Sequence, residues 1–262
     1  MSFDLPWLPG GTVYGTLLNF RREFDLWAPK MAQAPYQAAP KAPVLYVKTA
    51  NTFAPRGAAV PVPGEVEIGA TLGLVIGSFE SNEAVASASQ AQSAINHEVD
   101  VLARVAGCVL IDDLSLPHAS YYRPAIRWRN RDGFLVCAPA VTPLREIDIK
   151  ALKIEVRVNG AWVQTVDLST LMRDAATLLA DVSAFMTLQP GDVLLLGTDC
   201  LADGTRPRAR AGDRVEISAP GLATLTHTLA AEVSAVRPPQ GAKAPSGGSA
   251  DTPVRSVGAY SS

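Results

Sequence analysis

The chain's apolar runs are short, and glycine or proline closes most of them; 20 glycines and 20 prolines are spread over 262 residues. Proline withdraws a backbone donor and fixes φ, so a chain punctuated this often cannot be built from long helices. The clearest unit is a hairpin. Residues 153–158 alternate Ile154, Val156 and Val158 with Glu155 and Arg157, Asn159-Gly160 follows as a turn, and residues 161–166 supply the partner strand. Helical spacing recurs in only two places, so runs of strands prevail over alternating strand–helix units. The fold class expected is α+β, mainly β, with one or two packed helices.

Further strands are expected at residues 12–20, which run into the charged patch Arg21-Arg22-Glu23, and at 44–48, 71–77, 107–111, 192–198 and 214–218. In the last strand Leu225, His227 and Leu229 alternate with Thr224, Thr226 and Thr228, which puts His227 on the apolar face as a core or edge residue. Residues 28–43 carry Pro29, Pro35, Pro40 and Pro43 and are expected to form a loop over the body. Ser169 is expected to cap a helix whose apolar face holds Leu171, Ala175, Leu178, Leu179, Val182, Phe185 and Met186. A second helix is expected where Ile95, Val99, Leu102 and Val105 keep helical spacing, with Gly107 ending it and His97 on its surface. The Ala/Ser-rich residues 81–96 read as an exposed helix or a mobile insertion. Residues 1–236 form the expected domain, and 237–262 turn to Pro, Gly, Ser and Ala, the composition of a disordered tail.

The 23 basic and 25 acidic side chains nearly balance, which gives no footprint for nucleic acid or an anionic membrane. No run approaches the roughly 18 apolar residues of a membrane span, and the N-terminus has no basic-then-apolar leader. Cys108, Cys137 and Cys200 are odd in number and far apart, which fits neither a disulfide framework nor a paired-cysteine metal site. A reduced, soluble, cytoplasmic protein is expected.

Residues 107–134 hold the densest chemistry. An apolar strand ends in Asp112-Asp113, and Tyr121-Tyr122-Arg123-Pro124, Arg127, Arg129 and Arg131 follow before the turn Asp132-Gly133. Carboxylates suit a hard cation and arginines an anionic substrate, while Arg127 and Arg131 taken singly read as partners in surface ion pairs.

The segments TLGLVIG, GCVLIDDLSL, YYRPAIRWRNRDGF, the Asn-Gly hairpin, LQPGDVLLLGT and AGDRVEI follow in the order and spacing of the fumarylacetoacetate hydrolase family, over about residues 12–232. Within that family the chain resembles the N-terminal half of the two-part decarboxylase/isomerases of 4-hydroxyphenylacetate (homoprotocatechuate) catabolism. The resemblance implies a β-rich fold in which three carboxylates hold Mg²⁺ or Mn²⁺ against a 2-oxo acid. It also implies a small dicarboxylate substrate, and a homodimer or a hetero-oligomer with a C-terminal-type subunit. The site residues it carries over are Lys48, Tyr122, Arg123, Arg129 and Thr198 for substrate, Asp113 for metal and Glu23 for catalysis.

Six positions depart from the family pattern. Gly69 and Thr71 replace the Glu-x-Glu pair that supplies two metal ligands, which leaves Asp113 as the single retained ligand. Glu65 and Glu67 lie four residues upstream on the same strand parity, a displacement of roughly 13 Å. Glu23 takes the place of a lid histidine and Leu26 that of a lid glutamate. Asp199 replaces the proline after Thr198, and Arg129 stands where substrate-binding members often have lysine. The expectation is therefore a decarboxylase/isomerase subunit for 2-oxo or 2-hydroxy-diene dicarboxylates. The alternatives are a non-catalytic companion without a complete metal site and, more weakly, an acylpyruvate-type C–C hydrolase.

Overall fold

The computed structural model describes residues 6–34, 37–77, 101–118 and 126–232; the insertion at 81–96, His97 and the tail at 237–262 lie outside them. Fourteen strands are present among the described residues: β1 (Val13–Leu17), β2 (Val44–Lys48), β3 (Phe53–Pro55), β4 (Ala59–Val62), β5 (Val66–Glu67), β6 (Ala70–Ile76), β7 (Val105–Asp113), β8 (Leu135–Cys137), β9 (Lys153–Val158), β10 (Ala161–Asp167), β11 (Val193–Leu195), β12 (Arg208–Ala209), β13 (Arg214–Ser218) and β14 (Leu225–Ala231). They form a seven-stranded sheet in the order β2-β1-β11-β6-β7-β8-β3, a five-stranded sheet β10-β9-β13-β14-β4, and the pair β12-β5. The mainly β character expected from the punctuation is what the chain adopts.

Connectivity forces the large sheet to curl. Strands β2 and β3 sit at its opposite edges, yet only the residues between Lys48 and Phe53 join them. The five steps from Lys48 to Phe53 span at most about 18 Å, whereas seven strands laid flat would hold their edges roughly 29 Å apart. The sheet therefore wraps into a barrel-like cylinder, and side chains from distant strands meet inside it. Tyr46 reaches inward by lying across Gly15, its cross-strand neighbour; a Cβ at Gly15 would run into the tyrosine ring.

The second sheet packs where β9, β13 and β14 pass β6, β7 and β8. Ile154, Val156, Ile217 and Leu225 from one sheet and Leu72, Leu110 and Leu135 from the other are buried in a single core. Consecutive residues of a strand face opposite ways, so Asp112 and Asp113 divide between the two spaces. Asp112 points to the second sheet, where its Oδ2 lies 2.8 Å from His227 Nε2 and its Oδ1 accepts from the Gly69 N–H at 2.9 Å. His227 is thus a buried core residue on the apolar face of β14, as its alternation implied.

Three local expectations are corrected. The patch Arg21-Arg22-Glu23 opens an eleven-residue helix, Arg21–Met31, where strand and then loop were expected. Strand β1 stops because Leu18 turns to φ +59°. Pro29 is tolerated near the helix end, and the helix buries only Glu23 and Met31, so no apolar stripe announces it. The second correction concerns the later helix, which is shorter than expected. It runs Ala175–Ser183, and Asp174 caps it by accepting from the Thr177 N–H at 2.9 Å. Ser169 does not cap it because it lies in the separate 3-10 turn Leu168–Thr170, well ahead of Ala175, where its hydroxyl donates to Asp167 Oδ1 at 2.7 Å, and Phe185 stands exposed. Third, Val105 and Gly107 belong to β7 rather than to a helix end. Gly107 is needed there for close approach, since a Cβ would collide with the Thr142 carbonyl oxygen.

Two stability outcomes are expected. Gly15→Val must displace Tyr46 from the barrel, an overpacking expected to destabilise by roughly 2 kcal/mol and lower Tm by about 4–8 °C; an unchanged melting curve would show that Tyr46 has room to move. His227→Leu leaves Asp112 buried with the Gly69 N–H alone, a loss of roughly 3 kcal/mol in urea unfolding, and an unshifted midpoint would remove the pair from the list of contacts joining the sheets.

Candidate functional site

At the end of β7, inside the curled sheet, the Asp113 side chain is fully buried together with that of Lys48. Lys48 Nζ lies 2.8 Å from Asp113 Oδ1, and Arg129 Nη1 donates to Asp113 Oδ2 at 3.1 Å. The Tyr46 hydroxyl donates to the same Oδ2. Arg129 comes from the short helix Ile126–Arg129, and its guanidinium carbon sits 4.6 Å from the centre of the Tyr46 ring, a cation–π contact that fixes the fork in place. Lys48 Nζ also donates to the main-chain carbonyls of Phe134 at 2.9 Å, Leu114 at 3.4 Å and Arg129. The ammonium is therefore enclosed by carbonyls and a carboxylate, much as a bound cation would be.

Electrostatics follow from this enclosure. Burial alone would raise the Asp113 pKa, but the charges of Lys48 and Arg129 outweigh it and hold the carboxyl below its ordinary value. Burial lowers Lys48, and the charge of Asp113 offsets only part of that effect. Tyr46 is raised well above its ordinary value by burial and by Asp113, so its hydroxyl keeps its proton and acts as a donor.

A second buried group flanks the first. Glu23 Oε1 accepts from Arg206 Nη2 at 2.6 Å, and Glu23 Oε2 accepts from the Leu18 N–H at 3.2 Å, holding the left-handed turn that ends β1. Arg206 also lies 3.9 Å from Glu67 and close enough to Tyr46 to act on its hydroxyl electrostatically. Asn19 fastens the same corner. Its Nδ2 donates to the Leu196 and Arg173 carbonyls at 2.9 and 3.0 Å, and its Oδ1 accepts from the Arg173 N–H at 3.0 Å.

Lys48, Asp113 and Arg129 are thus brought together, and Thr198 packs on the same wall, its Cγ2 3.0 Å from where a Gly69 Cβ would sit. Glu23 belongs to the Arg206 group. Tyr122 and Arg123 lie outside the described residues. Arg131 pairs with Glu232 at 2.7 Å and Glu65 with Arg208 at 2.8 Å, both in partly exposed ion pairs. Glu67 continues the β6–β7 register without a bulge: Glu67 faces Ser115 as Ala70 faces Asp112. Tyr46 and Arg206 were not singled out from sequence. Tyr46 had a signal, for it shares strand parity with Lys48 two residues on and stands opposite a glycine; Arg206, in a loop between β11 and β12, had none.

The fit of a divalent cation can be tested on these residues. A side chain at position 69 has no room, because its Cβ would meet the Asp113 carbonyl oxygen. Thr71 contributes a buried hydroxyl without a hydrogen-bond partner, and Asp113 already faces two protein cations. Among the described residues no group of three His, Cys, Asp or Glu side chains could hold a metal. The donor set does not fit the Mg²⁺ or Mn²⁺ that the resemblance implied.

Residues 12–230 match the family described as fumarylacetoacetate (FAA) hydrolase C-terminal. The chain is 38% identical over 224 residues to the 4-hydroxyphenylacetate degradation bifunctional isomerase/decarboxylase of Salmonella dublin, a match covering 85% of this chain and 48% of that protein. The chain thus spans about half the length of this relative. Its fold is similar to that of 5-carboxymethyl-2-hydroxymuconate delta-isomerase from Mycobacterium smegmatis, with a TM-score of 0.61 and 22% identity over 85% of this chain and 79% of that one. It is also similar to maleylpyruvate hydrolase from Sphingobium, solved with manganese(II) and pyruvate, with a TM-score of 0.62 and 19% identity over 87% and 73%. The match over residues 12–230 covers most of the chain and shows its family: the chain belongs to the fumarylacetoacetate hydrolase family.

Proposed function

We propose that the chain is one unit of a decarboxylase/isomerase for 2-oxo or 2-hydroxy-diene dicarboxylates of 4-hydroxyphenylacetate catabolism, working with a second unit of the same fold that carries the metal. The observation that carries this reading is the match to one half of a bifunctional isomerase/decarboxylase, in a chain whose own donor set does not fit a divalent ion. A dicarboxylate needs cationic donors, and Arg129 with Tyr122 and Arg123 are the groups of this chain proposed to meet it. Thr198 would add a hydroxyl on the same wall, and Lys48 would support Arg129 through their shared carboxylate.

Isomerisation requires a proton to leave one carbon and return to another, and decarboxylation requires a place for the electrons released. Glu23 is the candidate to move the proton. Its two oxygens hold Arg206 and the Leu18 N–H, so acting on substrate means releasing one of them. That engagement favours a second reading, in which this unit is a non-catalytic companion that stabilises the metal-bearing one. An acylpyruvate-type hydrolase would need a metal donor set and a free base together, and neither is found in the groups above.

Ultraviolet absorbance of the diene dicarboxylate separates the readings. The chain alone is expected to turn over substrate at least about 100-fold more slowly than its mixture with a C-terminal-type unit, a difference of roughly 2.7 kcal/mol in barrier. Full turnover by the chain alone would overturn the shared-site reading. Within the mixture, Glu23→Gln is expected to leave the rate within about threefold if this unit is a companion, and to lower it by 100-fold or more if Glu23 moves the proton.

A further inference from the structure

The disagreement between the donor set and a divalent ion has a definite form. Position 69 is closed to any side chain by the Asp113 carbonyl, so the loss of the carboxylate there is built into the packing of β6 against β7. In the same cylinder both Asp113 oxygens face cationic groups that belong to the protein, Lys48 on Oδ1 at 2.8 Å and Arg129 on Oδ2 at 3.1 Å, and Tyr46 adds a neutral donor. Lys48 and Tyr46 come from β2 and Arg129 from the helix Ile126–Arg129, and all three meet the carboxylate at the end of β7. Lys48 is held as an ion would be, by main-chain carbonyls of Leu114, Arg129 and Phe134.

We infer that Asp113, clamped between Lys48 and Arg129 with Tyr46 as a third donor, is a structural keystone of the barrel rather than a ligand to a divalent ion. The remaining carboxylate keeps its ammonium, and Arg129 supplies a planar fork whose second function is to stack on Tyr46. Two strands, β2 and β7, and a short helix are therefore tied through one carboxylate.

The assignment concerns binding and stability, so it stands or falls separately from any turnover. A cation site emptied of its ion is relieved when a carboxylate is removed, because anions that repel one another are thinned. A carboxylate clamped between two protein cations behaves the opposite way, since its removal strands both of them in the interior. Thermal unfolding of the full chain followed by circular dichroism is expected to show Asp113→Asn lowering Tm by roughly 6–15 °C. Adding Arg129→Met to Asp113→Asn is expected to lower Tm by less than the sum of the single changes. Manganese titration of the wild type, read by the electron paramagnetic resonance of free Mn²⁺, is expected to show no saturable uptake at millimolar metal, with Tm the same in Mn²⁺ and in chelator.

Should Asp113→Asn fail to fold, that failure agrees with a keystone, and the milder Tyr46→Phe carries the test with an expected loss of a few degrees. An equal or higher Tm for Asp113→Asn, or saturable Mn²⁺ uptake that raises the wild-type Tm, would overturn the inference.

Discussion

A single buried carboxylate organises the interior of this molecule. Asp113 sits at the end of the longest strand, and Lys48, Arg129 and Tyr46 converge on it from segments far apart in the chain. Taking these charges out of water is costly, and the interior tolerates them only because every charged group finds its partner at short range. The curl of the seven-stranded sheet makes that convergence possible. Since β2 and β3 are joined by a short connection yet sit at opposite edges, the sheet has to close on itself, and closure brings a lysine from one edge against the end of β7. Glycine at position 15 then lets a tyrosine cross the narrow space, and glycine at 69 lets β6 approach the Asp113 main chain.

The neighbouring residue does complementary work on the opposite face. Asp112 binds His227 across the inter-sheet core while accepting from the Gly69 N–H. Two consecutive aspartates thus tie both layers of the molecule, one into the barrel and the other into the second sheet. Function is built on the same frame. The corner held by Asn19, Glu23 and Arg206 borders the Asp113 cluster, and in the proposed shared enzyme it is where a proton would have to move if this unit takes part in the chemistry.

Much of this was legible from the order of residues. The strand runs at 44–48, 71–77 and 214–218, the Asn-Gly hairpin and the inward His227 follow from alternation and turn chemistry, and the structure has them. The helix Arg21–Met31 was not legible, because it buries only an acid and a methionine and so carries no apolar period. The Ser169 cap failed for a reason invisible in a pattern: the chain first makes a 3-10 turn at Leu168–Thr170, and an acid, Asp174, stands directly before the helix. In the site, motif order picked out Asp113, Lys48 and Arg129 singly. Their mutual contact depends on sheet closure, a long-range property that no local window contains. Arg206 depends on it as well, since its partners Glu23 and Glu67 are far away in sequence.

The most direct test of the central claim is a crystal structure of the chain grown in saturating Mn²⁺, with anomalous scattering recorded at the manganese edge. The account expects no anomalous peak inside the cylinder and an Asp113 carboxylate still bonded to Lys48, Arg129 and Tyr46. A peak against Asp113, with Arg129 swung away from it, would contradict the account and return the carboxylate to the role of a metal ligand.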